Sequence, residues 1–257
     1  MTKKILGIHN VTVKFGGVTA VKDVSFDVAE REIVGLIGPN GAGKTTLLNA
    51  ISHLERINSG HIECFGQKIS EWPAHKMASF GVARTFQVVQ PFANLTIREN
   101  IGVGAMFSRG GHDAKTVNAA VDEAISITGL VAKAELLPHQ VTLADRKRLE
   151  LARALAMRPR LLLLDEVMAG LNHTEIEHVI DLIKAIRNRG VSIVVVEHVM
   201  KAITAVCDRI VVLQFGEKIA DDVPTSVLSD DKVVRAYLGD RFAAKQAALK
   251  QQQASIL

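Results

Sequence analysis

Glu32-Ile-Val-Gly-Leu-Ile37, running on into Gly38-Pro-Asn-Gly-Ala-Gly-Lys-Thr45, decides the reading of this 257-residue chain. After Glu32, the five residues to Ile37 are an apolar run of the kind that makes a buried strand. The next eight fit G-x-x-x-x-G-K-[ST], and helical sequence follows from about Gly43 to Leu54. Glycines at these places let backbone N–H groups turn inward around phosphate oxygens, and the helix start adds partial positive charge. Gly38, Pro39, Asn40, Gly41, Ala42, Gly43, Lys44, Thr45 and Thr46 are therefore the candidate phosphate-binding residues of a nucleotide site. Lys44 is expected to reach the β- and γ-phosphates, and the Thr45 hydroxyl to coordinate Mg²⁺.

Two further strands supply polar groups to the same region. Leu161-Leu-Leu-Leu-Asp-Glu166 ends four leucines in two carboxylates, which is rare without ionic partners. Asp165 is expected to hold Mg²⁺ directly or through water, and Glu166 to polarise an attacking water. Val191-Ser-Ile-Val-Val-Val196 delivers Glu197 and His198 at its carboxyl end, where ligands collect in open α/β sheets. His198 becomes a candidate sensor of the γ-phosphate.

The rest of the chain frames these motifs. Residues 5–30 alternate apolar and polar positions and predict antiparallel strands, while helical spacing dominates from Ile97 to Met157. Strand–helix units follow, with helices near Thr174–Arg189 and Met200–Cys207. Ile210–Leu213 and Lys218–Ala220 read as a hairpin turning at Phe215-Gly216-Glu217. The pattern is a parallel-sheet α/β core, about residues 1–87 and 159–240, interrupted by a helical lobe at about 88–158. A tail of helix formers, 241–257, almost lacks an apolar face. With 48% hydrophobic residues the chain can bury a core, and apolar runs stop short of a membrane span. A net charge of +4, 4% aromatics and no dense Lys/Arg stripe argue against a nucleic-acid partner. Cys64 and Cys207 offer neither metal spacing nor a disulfide framework.

Together these motifs resemble the ABC transporter ATPases over roughly residues 5–240. The resemblance implies a P-loop NTPase of the ABC ATPase fold: a RecA-like core with an N-terminal antiparallel β subdomain and an inserted α-helical subdomain. It makes Gly38–Thr45 the Walker A loop and Leu161–Asp165 the Walker B strand. Phe15 becomes the aromatic that stacks on adenine, Gln87 the Q-loop glutamine that touches Mg²⁺ and the attacking water, and Glu166 the catalytic glutamate. Ala169-Gly-Leu-Asn172 takes the D-loop and His198 the H-loop. Val82-Ala-Arg-Thr-Phe-Gln87, Asn94-Leu-Thr-Ile-Arg-Glu-Asn100, Arg148-Leu-Glu-Leu-Ala-Arg-Ala-Leu155 and Arg235-Ala-Tyr-Leu-Gly239 are similar to the branched-chain amino acid importer group. That likeness implies ATP and Mg²⁺ as cofactors and a peripheral place on the cytoplasmic face of the plasma (inner) membrane. Its implied partners are permease subunits, a second ATPase and, indirectly, a solute-binding protein. ATPases for amides, urea or lipopolysaccharide export share several of these features, and a weakly active regulatory subunit is the other alternative.

The chain departs from the family where a Leu-Ser-Gly-Gly-Gln-like signature is usual. It has Val141-Thr-Leu-Ala-Asp145 instead. Thr142 keeps a hydroxyl; Leu143 and Ala144 replace glycines, and Asp145 is expected to repel the γ-phosphate of a partner's ATP. Val167 and Met168 follow Glu166 where a proline and a small residue are commoner, and His53 stands where glycine is usual. In the family's head-to-tail dimers each ATP lies between one chain's Walker A and the other's signature. A degraded signature therefore favours a heterodimer.

Overall fold

A computed structural model describes residues 3–108 and 113–238. The period-2 alternation at the start becomes β1 (Lys4–Phe15) and β2 (Val18–Ala29), which pair antiparallel. The apolar run 33–37 is β3 (Ile33–Ile37), every residue of it buried. It feeds the glycine turn and α1 (Lys44–Ile51). β4 (Ser59–Cys64) and β5 (Gln67–Lys68) complete a four-stranded sheet in the order β2-β1-β4-β5. α2 (His75–Phe80) and the short β6 (Val82–Arg84) lead into α3 (Ile97–Ala105), α4 (Ala114–Thr128) and α5 (Leu143–Ala156).

The chain then re-enters the core as β7 (Leu161–Asp165), α6 (His173–Asn188), β8 (Ser192–Val196) and α7 (Met200–Val206). β9 (Arg209–Gln214) and β10 (Glu217–Asp222) form the closing hairpin, and α8 (Pro224–Ser229) and α9 (Asp231–Leu238) end the described chain. The second sheet runs β10-β9-β3-β8-β7-β6, parallel except where β10 meets β9. β3, β7 and β8 are buried along their whole length, which explains why they read as continuous apolar runs, whereas the edge strand β10 is exposed to half-buried. Val34, Leu36, Leu163 and Val194 face one cluster with β1, β2 and α1. Ile33, Leu162, Leu164 and Ile193 face another with α6 and α7. α3, α4 and α5 enclose a third apolar cluster of their own, built on Ile97, Ile101, Val121, Ile125 and Leu149.

One feature differs from the sequence expectation. α1 stops at Ile51, not Leu54: His53 adopts φ 59, and the His53 and Leu54 amides bond back to the Ala50 and Asn49 carbonyls at 3.2 and 2.9 Å. This is a Schellman stop with histidine in the left-handed position that glycine normally fills. Residues 241–257, including the tail of helix formers, lie outside the described residues. The two cysteines are free and buried, and burial pushes both thiols up to about 12.

Candidate functional site

The carboxyl ends of β3, β7 and β8 meet at the turn that precedes α1, so one edge of the sheet collects every core motif. Gly38 and Gly43 make the turn possible. Their φ values are 154 and 98, and a Cβ on them would run into the Leu213 and Ala20 carbonyl oxygens respectively. Lys44 heads α1 but reaches back across the loop, donating to Gly38 O at 2.8 Å and Pro39 O at 3.0 Å. Burial lowers its pKa, against the pull of Glu166 and Asp165, which raises it. A phosphate entering the loop would take over those donations, replacing two neutral acceptors with charged ones.

Asp165 is 1% exposed at the end of β7. Its Oδ2 accepts from Arg84 Nη2 at 2.9 Å, while Arg84 Nη1 donates to Asn49 Oδ1 and Ser52 Oγ at 2.7 and 2.9 Å. Arg84 thus ties the α1 segment to the carboxylate that ends β7. Asp165 Oδ1 is buried with no hydrogen-bond partner. An orphaned carboxylate oxygen in a cleft that Thr45 also lines suits a hard cation and its waters. The residues present therefore fit Mg²⁺.

Glu166 follows, and its backbone is held at φ 50, a left-handed conformation that costs a glutamate of order 1 kcal/mol or more. The strained turn aims its carboxylate between two groups. Gln87 Nε2 donates to Oε2 at 2.7 Å, and His198 Nε2 lies 2.8 Å from Oε1. Gln87, Glu166 and His198, 111 sequence positions apart at their extremes, are one cluster. The Gln87 amide nitrogen is engaged here, which leaves its Oε1 as the atom for a cation. Below them Glu197 accepts the Met168 amide at 2.7 Å, and burial pushes its carboxyl pKa up.

Sequence reading missed Lys147. Its ammonium, on a residue only 6% exposed, donates to Glu166 O at 3.1 Å and Gln87 O at 3.3 Å. It joins α5 to both loops that carry the catalytic candidates. A signal was present: Lys147 falls at helical spacing with Ala144, Leu151 and Ala154, all buried, so it sits on the apolar face of α5. Glu150 on the same helix accepts the Phe86 amide at 3.0 Å, and burial raises its pKa. It borders a cleft of about 720 Å³ that runs from Thr45 and Asp165 past Gln87 to Phe86, Val88 and Phe107.

Phe15 ends β1 and is 47% exposed. The Val141–Asp145 segment requires a correction. Asp145 was expected to present a repelling charge, yet it is 3% exposed and accepts from Lys133 Nζ at 2.6 Å and Thr142 Oγ1 at 2.8 Å. Thr142 and Asp145 form a capping box at the start of α5, so both side chains serve the helix terminus. Leu143 is exposed, and its Cδ2 stands 3.2 Å from where a Cβ on Gly170 would lie.

The family model described as ABC transporter matches residues 21–169. The chain is 35% identical over 254 residues to the high-affinity branched-chain amino acid transport ATP-binding protein LivG of Salmonella typhimurium, covering 93% of this chain and all of LivG. It is 34% identical over 238 residues to the lipopolysaccharide export system ATP-binding protein LptB of Haemophilus influenzae, covering 93% and 98%. Its structure superposes on the ADP conformation of MJ1267, an ATP-binding cassette of an ABC transporter, with a TM-score of 0.85 at 25% identity over 93% of this chain and all of that one. It also matches the dimeric post-hydrolysis cassette MJ0796 bound to ADP and Pi, with a TM-score of 0.76 at 26% identity over 86% and 99%.

Proposed function

The chain belongs to the ABC transporter family, as the ATPase subunit, and from that premise we propose that it powers an importer of branched-chain or related amino acids. The observation that carries its catalytic part is the Glu166 carboxylate held between Gln87 and His198, beside the Lys44 loop. In this reading Lys44 releases the Gly38 and Pro39 carbonyls to hold the β- and γ-phosphates. Phe15 stacks on the adenine, and Gly38–Thr46 wrap the phosphates. Glu166 accepts the hydrogen bond of the attacking water and polarises it. His198 and Gln87 orient that carboxylate, and Gln87 reports whether the membrane partner is engaged. Catalysis is positioning plus electrostatic stabilisation of the transferring phosphoryl group. Thr45, Asp165 and the Gln87 Oε1 would hold Mg²⁺, which neutralises charge on the β- and γ-phosphates when bound.

The solute assignment is supported by the end-to-end match to LivG and by the motifs shared with that group. A lipopolysaccharide exporter is the second reading, favoured by the equally extended match to LptB. In the importer reading the partners are permease subunits, a second ATPase and, at one remove, a solute-binding protein, with this chain on the cytoplasmic face of the inner membrane. The cleft beside Gln87, with exposed Phe86, Val88 and Phe107, is the place for a short helix of the permease. No helix among the described residues is long and apolar enough to cross a membrane.

The test is uptake of labelled leucine into vesicles that contain the permease, the partner ATPase and this chain. ATP-dependent uptake that disappears in Lys44→Ala, with the variant still folded, supports the reading. Transport of lipopolysaccharide but not leucine by the same assembly replaces it with the second one. Normal ATPase activity in a folded Lys44→Ala complex would overturn the phosphate-loop assignment.

A further inference from the structure

We infer that His9, His61 and Glu63, on the outer face of the N-terminal antiparallel sheet, form a binding site for a borderline divalent cation, with Zn²⁺ the best fit. His9 on β1 is paired directly opposite His61 on β4, and Gly7 directly opposite Glu63, so the four positions share one face. The opposite face carries Leu6, Ile8 and Ile62 into the core. The two imidazoles stack, with centroids 4.5 Å apart and planes inclined by 19°. Both present Nε2 to the same carboxylate: His61 Nε2 is 3.4 Å from Glu63 Oε1, and His9 Nε2 is 3.9 Å from Oε2. One donor atom from each residue lies within 4.8 Å of the other two.

The His9–Glu63 separation is too long for a hydrogen bond, and His9 Nε2 is buried with no hydrogen-bond partner. Donors bound tetrahedrally to Zn²⁺ at about 2.0–2.2 Å stand roughly 3.3–3.5 Å from one another. The three side chains are therefore within small rotamer adjustments of a shared ion. A buried nitrogen without a partner is costly in the apo protein, and a cation supplies that partner.

The glycine between them is part of the arrangement. Gly7 has no Cβ, and one built there would stand 2.6 Å from His9 Nε2. Any side chain at position 7 would push the imidazole off the site. The neighbouring Asp27 is held by Lys4 at 3.0 Å, whereas among the described residues the basic side chains within 4 Å of the Glu63 carboxylate are the two imidazoles. Two imidazoles and one carboxylate are the donors of a zinc-type site with an open position for water, and they discriminate against Mg²⁺, which asks for oxygen. The site is thus chemically distinct from the Thr45–Asp165 cleft. Its occupation would clip β1 to β4 by side chains as well as by backbone pairing.

The experiment is calorimetric titration of the untagged, nucleotide-free full chain with ZnCl₂, with Co²⁺ absorbance as a second readout of coordination. The expected result is one saturable equivalent and a Co²⁺ spectrum of a four-coordinate ion. His61→Ala, Glu63→Gln and Gly7→Ala should each weaken binding at least tenfold. Exposed His75→Ala, and Asp165→Asn in the nucleotide cleft, should leave it unchanged. Glu63→Gln keeps the side-chain shape, so it stays informative if an alanine variant fails to fold. Absence of saturable uptake, or equal affinity in the wild type and in folded Glu63→Gln, would overturn the proposal, as would loss of the equivalent in Asp165→Asn.

Discussion

Lys133 Nζ stands 2.6 Å from Asp145 Oδ2, so the carboxylate at the head of α5 is a buried, neutralised strut. The Thr142 hydroxyl donates to the same oxygen at 2.8 Å. Desolvation alone would raise the Asp145 pKa, but the bonds from Lys133 and Thr142 outweigh it and the net shift is downward. A depressed carboxylate pKa contributes stability that is present above the unfolded value of about 4 and is lost as pH falls through the folded value. Lys133→Met should therefore cost about 1–3 kcal/mol at neutral pH, by stranding a buried charge. Protonation of Asp145 removes that charge, so the difference from wild type should narrow below about pH 4. Urea midpoints for the two proteins between pH 3 and 7 check this. A difference that does not change with pH would mean that Lys133 acts through packing alone.

Glu166→Gln preserves the shape at the end of β7 and removes the charge that we propose polarises the attacking water. Hydrolysis should fall by roughly 10² to 10⁴-fold, as for loss of a general base, with nucleotide affinity retained. Single-turnover ATPase assays of the assembled complex give the answer. Wild-type turnover would move the role to another group, and His198, 2.8 Å away, is the next to test.

Lys147 holds the backbone of Glu166 and Gln87 in place through their carbonyl oxygens. Lys147→Met keeps the aliphatic stem and removes both donations. It should lower kcat about tenfold, equivalent to ~1.4 kcal/mol, while leaving the KM for ATP nearly constant. Lys147→Arg should recover part of the loss. If KM rises and kcat holds, Lys147 serves nucleotide binding and the positioning role is wrong.

His53 occupies the left-handed stop of α1 at φ 59, with its Nε2 buried and without a partner and its pKa lowered by burial. His53→Gly removes a left-handed penalty of about 1 kcal/mol, set against some lost packing and a more flexible unfolded chain. The net expectation is a variant as stable as wild type or up to ~1 kcal/mol more stable. A destabilisation in chemical denaturation would show that the imidazole packs too well for the strain to matter.

The phosphate loop, the β7 and β8 carboxylate ends and the closing hairpin were legible because each rests on local chemistry: glycine spacing, an unbroken apolar run, a Phe215-Gly216 turn. Arg84, Lys147 and Asp145 were not. A charged side chain reads as solvated until its partner is known, and the Arg84–Asp165 bridge spans 81 positions. Arg146-Lys147-Arg148 looks like one solvated cluster, although only the central lysine is on the buried face of α5. His9 and His61 are likewise unconnected in sequence and become neighbours only through the pairing of β1 with β4.

The position of Asp145 reshapes the prediction for the signature segment. If exposed Leu143 obstructs a partner's γ-phosphate, the two composite ATP sites of a heterodimer are unequal. Lys44→Ala in this chain should then abolish most turnover, while the matching change in the partner should cost little. Leu143→Gly with Ala144→Gly should raise hydrolysis at the weaker site through Leu143, the exposed one of the two at the N-terminus of α5; the buried Ala144 methyl should contribute little. Adding Asp145→Gln should give no further gain, because the carboxylate faces Lys133 and Thr142 and its loss breaks the capping box, at about 1 kcal/mol. Turnover and melting temperature of the double and triple variants separate the contributions. A large extra gain from Asp145→Gln would restore the repulsion that its burial argues against, and equal losses from the two lysine substitutions would remove the case for asymmetry.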